Sequence, residues 1–351
     1  MSDNIKPLVG LDLFRIFAAF IIFLFHANIH IAYKFGLFEP FIKMGAIFMT
    51  AFFMLSGFVL YYTVHNKREE FFNSKIIKKF YVKRLWQIMP QYLVISTLWV
   101  IFFSKENLST ELVLFPITIL GIESVFTSLF NISHYGGTWF ISCILFCYFI
   151  FPLLYELISK GKYCGVIYII VTFILTYSPF IVEIFKLSNI YSNPFFRILE
   201  FTLGIILAKI YLSMGNRYKI LFSWPVILLE FLGLILIVTY AVKRNFYINN
   251  YPMYNIFALP LFSLMIFSLS GLKCKWGEKS YLIKYLSSIS YLFYLTQFFV
   301  WPIVININDN LVRFIGALLL CLCMSIIFYE LMEKPLKKLF LNKYNGLGDI
   351  N

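Results

Sequence analysis

The sequence predicts an all-helical, polytopic membrane bundle, and three observations point to it. The chain has 351 residues, of which 61% are hydrophobic and only 13% charged, whereas a soluble domain is about half apolar and a quarter charged. Its mean hydropathy is +0.82. Apolar runs of about 20 residues, the length of one spanning helix, recur along the whole chain with short basic loops between them. The formal net charge of +13 would suggest nucleic acid in a soluble protein. Here the positive residues sit in the loops, so they set orientation and touch anionic lipid, and no nucleic-acid partner is expected.

The first run, 8–31, is long enough to span, contains Arg15, and lacks a small-residue cleavage site, so it reads as a span and not a signal peptide. A second span covers about 41–64. The stretch 65–84 is strongly basic, with Lys67, Arg68, Lys75, Lys78, Lys79, Lys83 and Arg84. Phe71, Phe72, Ile76, Ile77 and Phe80 recur in it at helical spacing, which predicts a basic amphipathic helix on the membrane surface. Further spans fall at about 85–103, 138–158, 163–182, 194–213, 223–242, 254–271, 284–305 and 311–333, making ten.

The stretch 110–130 is apolar but carries Pro116, Gly121 and Glu123. If it does not span, twenty Lys and Arg side chains fall on one side of the membrane and five on the other. The positive-inside rule therefore predicts ten spans with both termini cytoplasmic, and makes 104–137 an outer, partly re-entrant loop. Residues 1–351 show no internal repeat and no soluble appendage, so they form a single membrane domain. The six cysteines match no zinc or disulfide spacing and read as packing residues.

Charges inside a span are expensive and mark either a site or a bundle interior. The first span carries Asp12, Arg15, His26 and His30. Arg15 and His26 are eleven positions apart, about three turns, so they share a helix face with roughly 16 Å between them. Arg15 near the inner edge suits a phosphate arriving from inside, and Asp12 one turn earlier can neutralise it. Imidazole titrates near neutrality, so His26 suits a general base, with His30 its local competitor. The plain alternative is a histidine satisfied within the bundle.

In chain order, several stretches now resemble one family. Arg15, ten residues and His26 match the R-x10-H arrangement of the acyltransferase-3 family, bacterial integral-membrane enzymes that acylate sugars and envelope polymers. Phe52-Phe53-Met54-Leu55-Ser56-Gly57-Phe58 resembles its F-F-x-x-S-G-F, and Arg84 with Pro90 and Tyr92 its basic entry to a span. Thr138-Trp139-Phe140 with Tyr148 and Pro152 resembles its W-F…Y…P span. Arg197 and Glu200-Phe201 with Gly204, and the closing Glu333-Lys334-Pro335, match as well. One departure stands out: many relatives carry a histidine where this chain has Gln297, which cannot titrate.

The resemblance implies acyl transfer, commonly acetyl, from acyl-CoA (acetyl-CoA) to a hydroxyl of an envelope carbohydrate, in the bacterial cytoplasmic membrane. His26 would act as general base or acyl relay. Arg15, Lys83 and Arg84 are phosphate partners, although Lys83 and Arg84 also suit topology setting. Ser56 and Gly57 give either close helix packing or backbone access for the pantetheine arm. Trp139 is either an aromatic-belt anchor or a sugar platform. Arg197 and Glu200 form an intrahelical pair or position the acceptor. Glu333 reads as structural, and His134 in the outer loop as solvated. No metal is expected. The reading from another class is a carrier of a sugar or lipid-linked saccharide, against which stands the lack of two related halves.

Overall fold

The structure is a computed structural model that describes residues 8–65, 71, 73–104, 106–126, 137–186, 190–214, 221–244, 255–272 and 280–344. His134, and the loop residues Lys67, Arg68, Arg217, Lys219, Lys273, Lys275 and Lys279, lie outside them. Among the described residues there is no strand. This follows from the solvent: in lipid an unbroken helix satisfies its own backbone polar groups.

Among the described residues, seven helical segments are long and apolar enough to cross a membrane. They are α1 (Val9–His30), Gly45–His65 with α2 (Phe48–His65) as its main part, α3 (Ser74–Phe103), α5 (Thr138–Lys160), α9 (Trp224–Lys243), α11 (Tyr281–Val304) and Asn310–Phe340. An eighth is the pair α6 (Cys164–Thr176) and α7 (Ser178–Ile184), bent by 60°, where Pro179 in the first turn of α7 cannot continue the α6 ladder. The remaining two expected segments are also helical. Helix α8 (Pro194–Met214) carries Arg197, Glu200 and Lys209, and α10 (Asn255–Gly271) has 17 residues. The last segment comprises α12 (Asn310–Phe328), a π-helical turn (Tyr329–Glu333) and α13 (Lys334–Tyr344).

Side-chain pairs give the helix directions. Arg15–Ser287 and His26–Gln297 set α1 parallel to α11. Thr50–Glu200 and Tyr62–Tyr211 set α2 parallel to α8. Phe80–Phe151 and Tyr81–Phe149 set α3 antiparallel to α5. The chain between α3 and α5 therefore returns to the end of the bundle it left. Within it, α4 (Leu108–Leu120) has 13 residues, about 20 Å, short of the roughly 30 Å hydrocarbon core. Beyond α4, Glu123 is buried and accepts from the Tyr92 hydroxyl of α3, while Ser124 bonds Ser142 of α5 at 2.6 Å.

The basic stretch departs from expectation. From Ser74 it is no separate surface helix but the start of α3, a single helix of 30 residues capped by the Asn73 side chain. Nothing between Asn73 and Pro90 breaks the ladder. Phe71 and Phe80 are buried against Phe151, which pins this basic end to α5.

The tightest crossing lies between α2 and α8. A Cβ on Gly57 would stand 2.1 Å from the Phe201 carbonyl oxygen, and one on Gly204 would stand 1.9 Å from that of Met54. Two glycines thus let the backbones touch, as small residues do where lipid offers no hydrophobic drive.

Candidate active site

Arg15 projects from α1 into the gap between α1 and α11. Its Nη1 donates to Ser287 Oγ at 3.1 Å and lies 3.4 Å from Asp12 Oδ1, and Ser287 Oγ donates to the same Asp12 oxygen at 2.7 Å. The triangle fixes the guanidinium yet leaves the Arg15 side chain 29% exposed, and Arg15 lines a cavity of about 320 Å³. Arg84 and Lys337 line the same cavity. Arg84 lies over the Phe80 and Tyr148 rings at 5.6 and 5.3 Å, and its Nη1 donates to Gln87 at 3.2 Å. Its buried Nε finds no partner among the described residues. Lys337 pairs with Glu333 at 2.6 Å. Three cations and one carboxylate therefore gather at the end of the cavity formed by the basic start of α3 and the π-turn.

The π-turn has a local cause. Pro335 has no N–H to give to the preceding turn, and a widened turn before it absorbs the loss. The turn buries Glu333 and brings Lys337 round to the cavity. The sequence marked this place through Glu333-Lys334-Pro335, but Lys337 carried no signal beyond its spacing of four from Glu333.

Ser56 faces the cavity from α2, as Tyr148 does from α5. Gly57, next to it, faces α8 instead, and its open side is filled by the Phe201 carbonyl. The two residues thus divide the roles weighed for them: Gly57 packs, and only Ser56 reaches the cavity. Lys83 is on a smaller neighbouring pocket that shares Gln87, Glu333 and Lys337 with the main one.

The far end of the cavity is closed by Phe52, Phe140 and Tyr294. Phe140 and Tyr294 meet edge to face at 5.4 Å. His26 is one ring further on: its imidazole is 6.4 Å from the Tyr294 ring, 5.1 Å from Phe298 and 5.9 Å from His30. Arg15 and His26 do share the α1 face that meets α11, but the cavity stops at Tyr294, short of the imidazole. His26 Nδ1 donates to Gln297 Oε1 at 2.7 Å. Gln297 is fully buried. An Nδ1–H engaged in this way leaves Nε2 with its lone pair, the form a base or nucleophile needs. Sequence reasoning noted Gln297 only as a departure; the contact spans 271 positions and leaves no local mark.

Trp139, Arg197 and Glu200 form a separate cluster. Arg197 is 1% exposed. Its Nη1 is 2.7 Å from Glu200 Oε2, its Nε and Nη2 donate to the Tyr191 carbonyl at 2.8 and 2.7 Å, and Thr50 donates to Glu200 Oε1 at 2.9 Å. The Trp139 ring stands 5.1 Å from the guanidinium and 4.6 Å from Tyr191. Trp139 is buried, so here it is neither a belt anchor nor an open sugar platform. The cluster is a clamp joining α2, α5 and α8.

Among the described residues no three His, Cys, Asp or Glu side chains come together as a metal site. In comparison with known proteins, a family model described as an acyltransferase domain, acyltransferase-3, matches residues 8–330. No curated protein and no solved structure matches the chain.

Proposed function

The chain belongs to the acyltransferase-3 family, and on that premise we propose that it moves an acyl group, acetyl foremost, from acyl-CoA to a hydroxyl of an envelope carbohydrate. In this reading the ten helical segments are spans of the bacterial cytoplasmic membrane, both termini are cytoplasmic, and 104–137 is an outer, partly re-entrant loop. The basic end of the cavity then opens to the cytosol, where coenzyme A is available. Arg15, Arg84 and Lys337 face its diphosphate and 3′-phosphate, with Lys83 at the adjoining rim.

The observation that carries the reading is the double tie of α1 to α11. One helix pair holds a cation on a cavity and, three turns on, an imidazole with a defined tautomer. In the proposed step His26 Nε2 takes the acceptor's hydroxyl proton as that oxygen attacks the thioester carbonyl. The C–S bond breaks, and the imidazolium returns the proton to the leaving thiolate. Because Tyr294 ends the cavity, its ring must turn aside for the thioester to reach His26. Arg197, Glu200 and Trp139 support this wall and do not touch the acceptor.

The test is acyl transfer by purified protein in nanodiscs with labelled acetyl-CoA, wild type against His26→Ala. Transfer is expected to vanish while the variant keeps the wild-type elution profile and melting temperature. Undiminished transfer by folded His26→Ala would remove this residue from the mechanism.

A further inference from the structure

Beside the main cavity lies a second pocket of about 180 Å³, lined among others by Trp86, Gln91, Glu333 and Phe340. Two features set it apart from an ordinary packing gap. Gln91 is 0% exposed, and neither its amide oxygen nor its amide nitrogen finds a hydrogen-bond partner among the described residues. Glu333 is 7% exposed; Lys337 holds one of its oxygens, and the other, Oε2, has no partner among the described residues. A buried polar group without a partner carries a free-energy cost of about 1–3 kcal/mol. Two residues that line this pocket therefore hold an unused donor, an unused amide acceptor and an unused carboxylate oxygen.

Two of the lining side chains, Trp86 and Phe340, are aromatic. The Trp86 indole is fixed by its Nε1, which donates to the Leu336 carbonyl at 3.0 Å, and Phe340 is buried beside it. A volume of about 180 Å³ is enough for a bicyclic ring. The rim joins the cation-lined end of the main cavity through Gln87, Glu333 and Lys337, with Lys83 on the pocket itself.

We propose that this pocket is a purine subsite that takes the adenine of the acyl-CoA donor. The 6-amino group donates to Glu333 Oε2, the Gln91 amide meets the ring nitrogens, and Trp86 and Phe340 flank the ring. Lys83 and Lys337 lie at the rim, where the ribose phosphate emerges. The assignment rests on the donor reading above and goes beyond it, because it fixes where the base lies and what selects it.

The experiment measures equilibrium binding, in nanodiscs, of coenzyme A and of its hypoxanthine analogue, in which an oxygen replaces the 6-amino group. Wild type is expected to prefer coenzyme A by about tenfold, the value of one hydrogen bond to a charged group. Glu333→Gln, whose amide can donate to the analogue's oxygen, is expected to narrow or invert that preference, and Gln91→Leu to weaken coenzyme A binding. Equal affinity of wild type for both ligands would overturn the subsite and leave the donor reading standing. Wild-type protein that binds neither would overturn the donor reading, and the subsite with it. The wild-type comparison needs no variant to fold.

Discussion

Removing the Glu200 carboxylate is the most informative single change to the bundle. Glu200→Ala leaves Arg197 with the Tyr191 carbonyl and Thr50, but with its charge bare in a site where it is 1% exposed. Deleting one member of a buried ion pair costs about 3–5 kcal/mol, because the survivor cannot be solvated. For domains of 150–250 residues each kcal/mol moves melting by about 2–4 °C, so a fall on the order of 10 °C is expected. Removing both charges with Arg197→Met and Glu200→Leu is expected to recover much of that loss, since a hydrophobic pair of similar volume replaces a burdened one. The assay is thermal unfolding of purified protein in nanodiscs, with the acceptor KM measured on whatever folds. If Glu200→Ala melts with wild type, or folds normally while its acceptor KM rises tenfold, the clamp is misread and the pair belongs to the acceptor site.

Two further expectations follow from the geometry. Gln297→Ala frees the His26 imidazole to rotate and change tautomer, so kcat should fall about 10- to 100-fold, matching a lost buried bond of roughly 1–3 kcal/mol, while binding of coenzyme A is unaltered; a kcat within twofold of wild type would show that the orientation is set elsewhere. On the loop between α1 and α2, Glu39 accepts from the Phe35 N–H at 3.0 Å and pairs with Lys43 at 3.2 Å, and these contacts hold its carboxyl below the ordinary value of 4.5. A depressed carboxyl contributes stability that is full above that value and disappears as pH falls through the folded-state pKa. The melting difference between wild type and Glu39→Gln should therefore be constant from neutral pH down to about 5 and shrink below 4.5, and a gap that persists to pH 3 would refute the linkage.

What was legible in the sequence is what one helix can encode. The spacing of Arg15 and His26 gave their common face because three turns of helix are close to eleven residues. Charge asymmetry suggested that 110–130 adds no crossing; α3 and α5, on either side of it, run antiparallel. Partners from other helices left no such trace. Nothing in the spacing of Trp139 showed that its ring would be spent on Arg197, nor that Gln297 would meet His26. The basic stretch 65–84 misled because surface and buried helices share the same apolar period. The contacts of Phe71 and Phe80 with Phe151 distinguish them. Similarly, Ser56 and Gly57 are neighbours in sequence but point about 100° apart on a helix, so one reaches the cavity and the other a neighbouring backbone.

The backbone contact at Gly57 and Gly204 has a mechanical corollary. Helices that touch carbonyl to Cα cannot slide or roll past each other without collision, so α2 and α8 act as one stiff beam, bolted further by Thr50 and Glu200. Across the cavity, α11 is tied to α1 by the side-chain pairs Arg15–Ser287 and His26–Gln297, which can open without a backbone collision.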